Sequence, residues 1–203
     1  MNYSTFASAY VGTKEGSDRH HYIVDYYNSI KPLPNGYEAH YSDPWCAIFV
    51  SSVLKKCKAI HGPYSASAND MRKKAIKNGQ YRRVSPKVND IVFYDWNGNG
   101  NIDHVGIIKE VLTNSIIVIE GNKGDMVGVR TISKHSRFIA GYATVKHETT
   151  KEKDTKNKDL ETVAKEVIKG KWGNGKTRFS LLKKYGYNPT EVQQIVNKML
   201  SKK

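Results

Sequence analysis

A stretch of twelve residues without an apolar side chain limits what this chain can fold into. Residues 147–158 read HETTKEKDTKNK, a mixed-charge sequence with nothing to bury. Such a segment cannot offset the entropy cost of folding by itself, so it predicts a linker. The 203-residue chain is therefore expected to form two separate cores, a larger one within residues 1–146 and a smaller one within residues 159–203.

The segment DPWCAIFVSSVLKKC, residues 43–57, predicts a helix with a cysteine near its start. Asp43 is a good N-cap, Pro44 is a good first helical residue, and apolar residues recur behind them at helical spacing. Cys46 then falls in the first turn, where unpaired backbone N–H groups and the helix dipole favour the thiolate, the reactive form of cysteine. The alternative interpretation is a small core residue, and this fits Cys57 at the other end of the helix.

Three short apolar runs downstream predict strands, and they cover residues 90–94, 104–108 and 115–120. His104 opens the second of these strands, Glu120 closes the third, and Asn122 follows two residues later. Residues two apart on an extended chain point to the same side, so Glu120 and Asn122 are expected on one face.

The face on which Glu120 lies depends on the connection between the last two strands. A three-residue loop pairs Val111 with Ser115, which places His104 opposite Asn122 and diagonal to Glu120. A two-residue loop would send Glu120 to the other face of the sheet. In the first arrangement His104 takes the proton of the cysteine, and Glu120 or Asn122 holds the imidazole in the required tautomer.

Helices are also predicted over residues 3–11, 19–30 and 67–78. His20 and His21 stand next to each other in the second of these helices. Adjacent residues do not share a helix face, so both are expected in solvent rather than at a metal.

The sequence DWNGNGNID, residues 95–103, follows the start of a calcium-binding loop. Oxygen-bearing side chains stand at alternate positions, namely Asp95, Asn97, Asn99, Asn101 and Asp103. Gly100 occupies the sixth position, but the twelfth is Gly106 rather than the usual glutamate. The alternative is a hairpin connection rich in Gly and Asn. Calcium is therefore a candidate ligand, while the Cys–His chemistry itself needs no cofactor.

The residues beyond the linker predict three short helices, which begin near Leu160, Thr177 and Thr190. A bundle of some 40 residues lies near the lower limit for folding without a disulfide or a metal. The two cysteines do not supply a disulfide, because eleven residues of helix separate them by about 16 Å.

The segments WCAIFVS, DIVFYDWNGNGNIDHVGI and IEGN resemble those of CHAP domains, the cysteine, histidine-dependent amidohydrolase/peptidase family. AYVGTKEGS and FIAGYATV are similar to the edges of such domains in phage endolysins, so the resemblance spans about residues 1–146. It implies a papain-like α+β fold, with N-terminal helices packed on an antiparallel sheet, that hydrolyses amide bonds of peptidoglycan. It also implies that Cys46 is the nucleophile and His104 the base, with Glu120 and Asn122 as orienting residues.

The module at residues 159–203 resembles the cell-wall-binding repeat of certain phage lysozymes and amidases, through GKWGNG, GY and VQ..VN. The resemblance implies that it binds muropeptide, with candidate contacts at Trp172, Asn174, Arg178, Tyr187 and Gln193. Trp172 has an alternative role as the core of a small bundle. A single repeat is expected to bind weakly, so oligomers or the catalytic domain are possible sources of avidity.

The formal net charge of +14 suits anionic wall polymers as partners. Nucleic acid is not expected, because the charges are scattered and no recognition motif accompanies them. Met1–Ser17 lacks the apolar core of a signal peptide, and no stretch is long enough for membrane insertion. Together with the resemblance, this predicts an endolysin made in the host cytoplasm and released to the wall by a holin or by lysis.

The predicted substrate is Gram-positive peptidoglycan. The bond cleaved is either N-acetylmuramoyl-L-alanine or a peptide bond of the stem or cross-bridge. The resemblance to the family slightly favours the first. The alternative function is a wall-binding protein without catalysis, or a calcium-binding structural module.

Overall fold

The structure, a computed structural model, describes residues 2–147 and 159–201. Its contacts divide into two compact units, one in each of these ranges. The predicted linker lies outside the described residues apart from His147, which forms an isolated antiparallel bridge with Ala59. His147 is therefore part of the first unit. Among the described residues, none of the helices combines the length and hydrophobicity needed to cross a bilayer.

The described part of the first unit consists of four α-helices and one short 3-10 helix (Pro34–Gly36), followed by an antiparallel sheet. The helices are α1 (Tyr3–Ser8), α2 (Asp18–Asn28), α3 (Cys46–Lys56) and α4 (Ala68–Lys77). The strands are β1 (Tyr81–Arg82), β2 (Ile91–Tyr94), β3 (His104–Val111), β4 (Ser115–Glu120), β5 (Gly128–Ser133) and β6 (Ile139–Ala143). They form one six-stranded sheet in the order β1-β6-β2-β3-β4-β5, and all neighbours are antiparallel. The predicted α+β class is confirmed.

Helix α3 is the centre of the larger core. Every residue from Cys46 to Leu54 is buried, and the helix packs on α2 and on strands β3 and β4. Ile107 and Ile119 face this helical layer, whereas the opposite face of the sheet carries a smaller cluster that includes Ile108 and Val118. The sheet thus separates two apolar clusters, and α3 reaches the end of the sheet at which β3 begins and β4 ends.

The register between β3 and β4 differs from the prediction near the turn and agrees with it at the site. Val111 pairs with Ile116 rather than with Ser115, so the turn is one residue longer than expected. Within β3, a bulge at Lys109, between Ile108 and Glu110, shifts the pairing back by one residue. Beyond it Ile107 pairs with Ile119, which is the register the three-residue loop would have given. The bulge therefore restores the face on which Glu120 lies.

His20 is fully buried, so the expectation that both histidines are solvated is wrong for this residue. Its Nδ1 accepts a hydrogen bond from the Gly16 N–H at 3.1 Å, and its ring lies 4.7 Å from that of Trp45. The indole of Trp45 donates to Glu15 Oε2 at 2.9 Å. Burial lowers the pKa of His20, which favours the neutral ring. These contacts brace the residue that precedes Cys46.

The second unit is a bundle of three helices, α5 (Leu160–Ile168), α6 (Gly175–Lys184) and α7 (Pro189–Leu200). Asp159 caps α5 by accepting a hydrogen bond from the Thr162 N–H at 2.7 Å. The core of the bundle is formed by a small set of buried side chains, namely Val163, Ala164, Val167, Trp172, Leu182, Val192 and Val196. The three-helix architecture predicted from the sequence is confirmed for this part of the chain.

Candidate active site

Cys46 is the first residue of α3 and is 7% exposed. The helix lacks a side-chain cap, and its first turn holds no acidic residue. Asp43 is not the cap that the sequence predicted, because its carboxylate accepts hydrogen bonds from the Tyr37 hydroxyl at 2.8 Å and the His40 N–H at 2.7 Å. The N–H groups of the first turn have no partner within the helix, so they are available to a thiolate or to a substrate oxygen.

The Cys46 side chain borders an open cleft of about 530 Å³. Polar lining residues include Asn35, Tyr37, Ser65 and Ser67, and the charged ones are Asp43, Asp70 and Asp103. No lysine or arginine is among the described residues that line this cleft. In a chain with a net charge of +14, the immediate approach to the cysteine is therefore acidic.

His104 and Glu120 meet across the sheet. His104 Nε2 lies 3.2 Å from Glu120 Oε2, and the Glu120 side chain is fully buried while that of His104 is 12% exposed. The contact with Glu120 occupies Nε2, which leaves Nδ1 as the ring nitrogen free for the thiol. Gly106 lies beside Glu120 on β3, where an added Cβ would stand 2.8 Å from Glu120 Cγ. A glycine at this position leaves room for the carboxylate next to the imidazole.

The pKa of His104 is raised to about 9, although its burial acts in the opposite direction. Hydrogen bonding and charge from Cys46 and Glu120 outweigh the desolvation of the ring and favour the imidazolium. The pKa of Glu120 is lowered despite its burial, because His104 and Arg130 stabilise the carboxylate. The site thus favours an ionised Glu120 and a protonated His104 at neutral pH, beside the cysteine.

Arg130 on β5 belongs to the same cluster, and sequence reasoning did not identify it. Its Nε donates to both carboxylate oxygens of Glu120, at 2.8 Å and 2.9 Å. The guanidinium also lies over the ring of Trp96, 4.8 Å from its centroid. Tyr94 stacks on Trp96 at 4.7 Å and on the His104 ring at 5.8 Å. An aromatic stack therefore runs beside the imidazole and the carboxylate that it contacts.

Asn122, the second predicted orienting residue, lies just beyond β4 with φ of 55°. Asparagine tolerates this left-handed conformation better than most residues, which suits the end of a strand. Within the described part of the chain its side chain makes no hydrogen bond to His104. The geometry therefore pairs the imidazole with Glu120 rather than with Asn122.

The loop at residues 95–103 is held together by its own amides. The Asp95 carboxylate accepts hydrogen bonds from the N–H groups of Gly98, Asn99 and Gly100, at 2.7 to 3.2 Å. Asp103 accepts one from the Trp96 N–H at 2.8 Å. No cluster of three or more His, Cys, Asp or Glu side chains able to hold a metal occurs among the described residues. The loop has the oxygen donors that calcium prefers, but their carboxylates already have partners, and calcium binding stays a prediction.

In the second unit, three of the five predicted contact residues come together. Arg178 donates from Nη2 to Asn174 Oδ1 at 3.0 Å and from Nη1 to Gln193 Oε1 at 3.2 Å. Arg178 and Gln193 line a groove of about 320 Å³ together with Phe179, a half-exposed aromatic residue that sequence reasoning left out. This groove presents a planar cationic group, an amide and an apolar ring.

Of the other two predicted contact residues of the repeat, Trp172 lies in its core and Tyr187 is partly buried against that core. Trp172 is 4% exposed, and its indole donates to Glu166 Oε2 at 3.2 Å. The Tyr187 ring packs edge-on against Trp172, with centroids 5.7 Å apart, and its hydroxyl is buried. Trp172 therefore fits its alternative role as the core of the bundle. Direct contact of its ring with a ligand would need the bundle to open.

The first unit is thus an α+β domain with a cysteine at a helix start and a strand-borne imidazole paired with a carboxylate. The CHAP domain family model matches residues 36–122, and the CW_7 repeat model matches residues 161–200. The chain thus combines a CHAP domain with a CW_7 repeat, as the two resemblances predicted. Helices α1 and α2 and strands β5 and β6, which the resemblance was expected to include, lie outside the matched CHAP residues.

The lysozyme of Streptococcus phage Cp-7 is 52% identical to this chain over 40 residues. The match covers 20% of this chain and 12% of the phage protein, so the chain spans only a small part of that relative. No solved structure gives a significant match.

Proposed function

We propose that this protein is an endolysin that hydrolyses an amide bond of Gram-positive peptidoglycan through Cys46 and His104. The observation that carries the proposal is the pairing of His104 with buried Glu120, beside a cysteine at an uncapped helix start. The thiolate is the nucleophilic form of cysteine, and a protonated imidazole is the proton donor that the leaving nitrogen needs. The CHAP match and the phage lysozyme relative support the same class of substrate.

The reaction begins when the Cys46 thiolate attacks the carbonyl carbon and a carbon–sulfur bond forms. The unpaired N–H groups at the start of α3 donate hydrogen bonds to the developing oxyanion. His104 then gives its proton to the leaving nitrogen as the carbon–nitrogen bond breaks, which leaves an acyl-enzyme and a neutral imidazole. Water attacks this acyl group, His104 takes the water proton, and the thiolate departs. Glu120 carries no proton at any step and holds the ring by its Nε2.

The cleaved bond is the lactyl amide between muramic acid and L-alanine, or a peptide bond in the stem or cross-bridge. The cleft beside Cys46 contributes three aspartates and no basic group among its described residues. We therefore expect it to accept neutral or amino-bearing substrate segments better than carboxylated ones, whichever of the two bonds is cut.

We assign binding of the wall to the second unit, with Arg178 and Gln193 as the polar contacts. The guanidinium of Arg178 donates to two amide oxygens and keeps further N–H donors, which suit the carboxylates and carbonyls of a muropeptide. The exposed ring of Phe179 offers an apolar platform next to them. The CW_7 match at residues 161–200 falls within this unit and supports the assignment.

Calcium would be held, if it binds, by the loop oxygens of Asp95, Asn97, Asn99, Asn101 and Asp103. It would supply rigidity to the segment that leads into His104 and no chemistry at the scissile bond. The hydrogen bonds that already satisfy Asp95 favour the alternative, a loop that is rigid without the ion.

The deciding experiment compares the wild type with Cys46→Ala on purified Gram-positive peptidoglycan, with mass analysis of the new termini. Cys57→Ala is the matched control, because it removes a second buried thiol at the other end of the same helix. We expect the wild type and Cys57→Ala to release fragments and Cys46→Ala to release none. Binding of the wall by all three proteins, without cleavage, would instead identify a non-catalytic wall-binding protein.

A further inference from the structure

We propose that Arg130 is a positioning residue of the reaction, which keeps Glu120 ionised and aligned while the imidazole of His104 is neutral. The inference rests on the proposed function, since the neutral imidazole arises when His104 gives its proton to the leaving group. It adds a supporting side chain to Cys46, His104 and Glu120, from a strand outside the matched CHAP residues.

The first support is the way Arg130 reaches Glu120. Arg130 stands opposite Val118 on the neighbouring strand, so it is the diagonal cross-strand neighbour of Glu120 on the same face. Its Nε–H lies between the two carboxylate oxygens, at 2.8 Å and 2.9 Å. A donor shared by both oxygens fixes the carboxylate plane, and one of those oxygens contacts His104. Arg130 therefore sets the orientation from which Glu120 meets the imidazole.

The second support is that Arg130 is itself held in place. Its guanidinium lies over Trp96 at 4.8 Å and over Tyr94 at 5.8 Å, and it is 30% exposed. Planar guanidinium groups stack on aromatic faces, which an ammonium group does less well. The same Tyr94 ring stacks on His104, so the arginine and the imidazole share one aromatic support. A displacement of Arg130 would disturb both partners of Glu120.

The third support is the burial of Glu120. Its side chain is fully buried, and within the described residues its ion-pair partners are His104 and Arg130. When His104 becomes neutral in the reaction, a buried carboxylate without another cation would favour protonation. Arginine keeps its charge throughout the accessible pH range, so Arg130 holds the carboxylate ionised through that step. The imidazole then recovers its proton from water next to an unchanged negative charge.

A cation that acts only through its charge would have the opposite effect on His104. Removal of such a cation should raise the pKa of the imidazole, because one repulsive charge is lost. Loss of a positioning residue should lower that pKa, because the carboxylate rotates away or takes up a proton. The direction of the change therefore separates the two roles.

The test measures the pKa of His104 by NMR of the labelled imidazole in the full chain, for the wild type, Arg130→Met and Arg130→Lys. Arg137→Met is the matched control, since Arg137 also lies over an aromatic ring, that of Phe138 at 5.0 Å, without a contact to Glu120. Assignment of the ring signal comes from its loss in His104→Gln. Melting temperatures show whether each variant is folded.

We expect the His104 pKa to fall from about 9 by about one unit or more in Arg130→Met, and by a smaller amount in Arg130→Lys. Arg137→Met should leave it unchanged, and the alkaline limb of kcat/KM should move with the NMR value. A pKa that rises or stays the same in folded Arg130→Met would overturn the proposal. If Arg130→Met does not fold, Arg130→Lys decides alone, and a wild-type pKa in that variant would also overturn it.

The NMR readout needs no substrate, so it separates this inference from the proposed function. A lowered His104 pKa in a protein that cuts no peptidoglycan would support the positioning role and reject the substrate. Wall cleavage by a protein whose His104 ignores Arg130 would support the function and reject the positioning role.

Discussion

Replacement of Gly121 by alanine should separate the cysteine from its base. Gly121 follows β4 directly, and a Cβ at this position would lie 2.6 Å from Phe49 Cβ and 3.1 Å from Trp45 Cε3. Carbon atoms that are not bonded pack at about 3.5–4.0 Å, so the shortfall is about 1 Å. Both clashing residues belong to the start of α3, which must therefore move away from the end of the sheet by that distance. Such overpacking costs about 1–3 kcal/mol of stability.

The displacement should cost more in activity than in stability. Trp45 immediately precedes Cys46, whereas His104 stays with the sheet, so the shift opens the distance between thiol and imidazole. A misplacement of about 1 Å can lower a rate by about 100-fold. We expect kcat/KM on labelled peptidoglycan to fall by about that factor in a protein that remains folded at 25 °C.

The assay adds a second readout that needs no substrate, the rate at which iodoacetamide alkylates Cys46 in a Cys57→Ala background. Gly124→Ala is the control, because its φ of +62° imposes backbone strain while its Cβ would meet nothing within 4 Å. Both alanine variants should melt earlier than the wild type, and only Gly121→Ala should lose reactivity at neutral pH. If Gly121→Ala keeps activity within about threefold of the control, the packing of α3 does not set the catalytic distance.

Three further outcomes are expected. His104 holds its proton below a raised pKa of about 9, so kcat/KM should fall as the pH rises through that value. Glu120→Gln should move this alkaline limb of the pH profile down by about one unit or more. A limb that does not move would show that Glu120 does not support the imidazolium. Trp172→Ala should lower the free energy of unfolding by about 3–5 kcal/mol and unfold the small bundle. Circular dichroism of the full chain would report this loss of helix. A bundle that stays folded but binds the wall more weakly would instead place Trp172 at the ligand. Calcium should raise the melting temperature of the wild type and not that of Asp95→Asn if the loop binds it, and an unresponsive wild type would remove calcium from the account.

Much of the site could be predicted because it depends on local patterns. A cysteine ahead of an apolar helix and a histidine at the start of a strand are visible in short stretches of sequence. The pleat alone did not decide the face of Glu120, because that face depended on the register between β3 and β4 and on the bulge at Lys109. The start of α3 was misplaced because Asp43 finds other hydrogen-bond partners, the Tyr37 hydroxyl and the His40 N–H, so the helix begins at Cys46 without a side-chain cap.

What could not be predicted depends on pairing between distant segments. Arg130 is ten residues beyond Glu120, on a strand whose apolar and polar residues alternate only weakly, so neither the strand nor its register was visible. His20 is buried because a loop amide and the indole that precedes α3 meet its ring, and no helical pattern of α2 contains that information. Contacts of this kind become visible only once the fold places the segments together.

The bulge at Lys109 separates the geometry of the turn from the geometry of the site. Residues 112–115 close the hairpin through a hydrogen bond from the Leu112 N–H to the Ser115 carbonyl at 2.9 Å, on the far side of the bulge from His104. A peptide tag or fluorophore inserted at that tip would change the loop alone, because the strand pairing next to the site is fixed independently. Deletion of Lys109 would remove the bulge and leave the pairs on either side of it, Ile108 with Val118 and Glu110 with Ile117, in one regular ladder, so His104 would keep its face. For protein engineering, the tip is an attachment point, and the bulge is a position at which β3 can lose a residue without turning the imidazole away from the carboxylate.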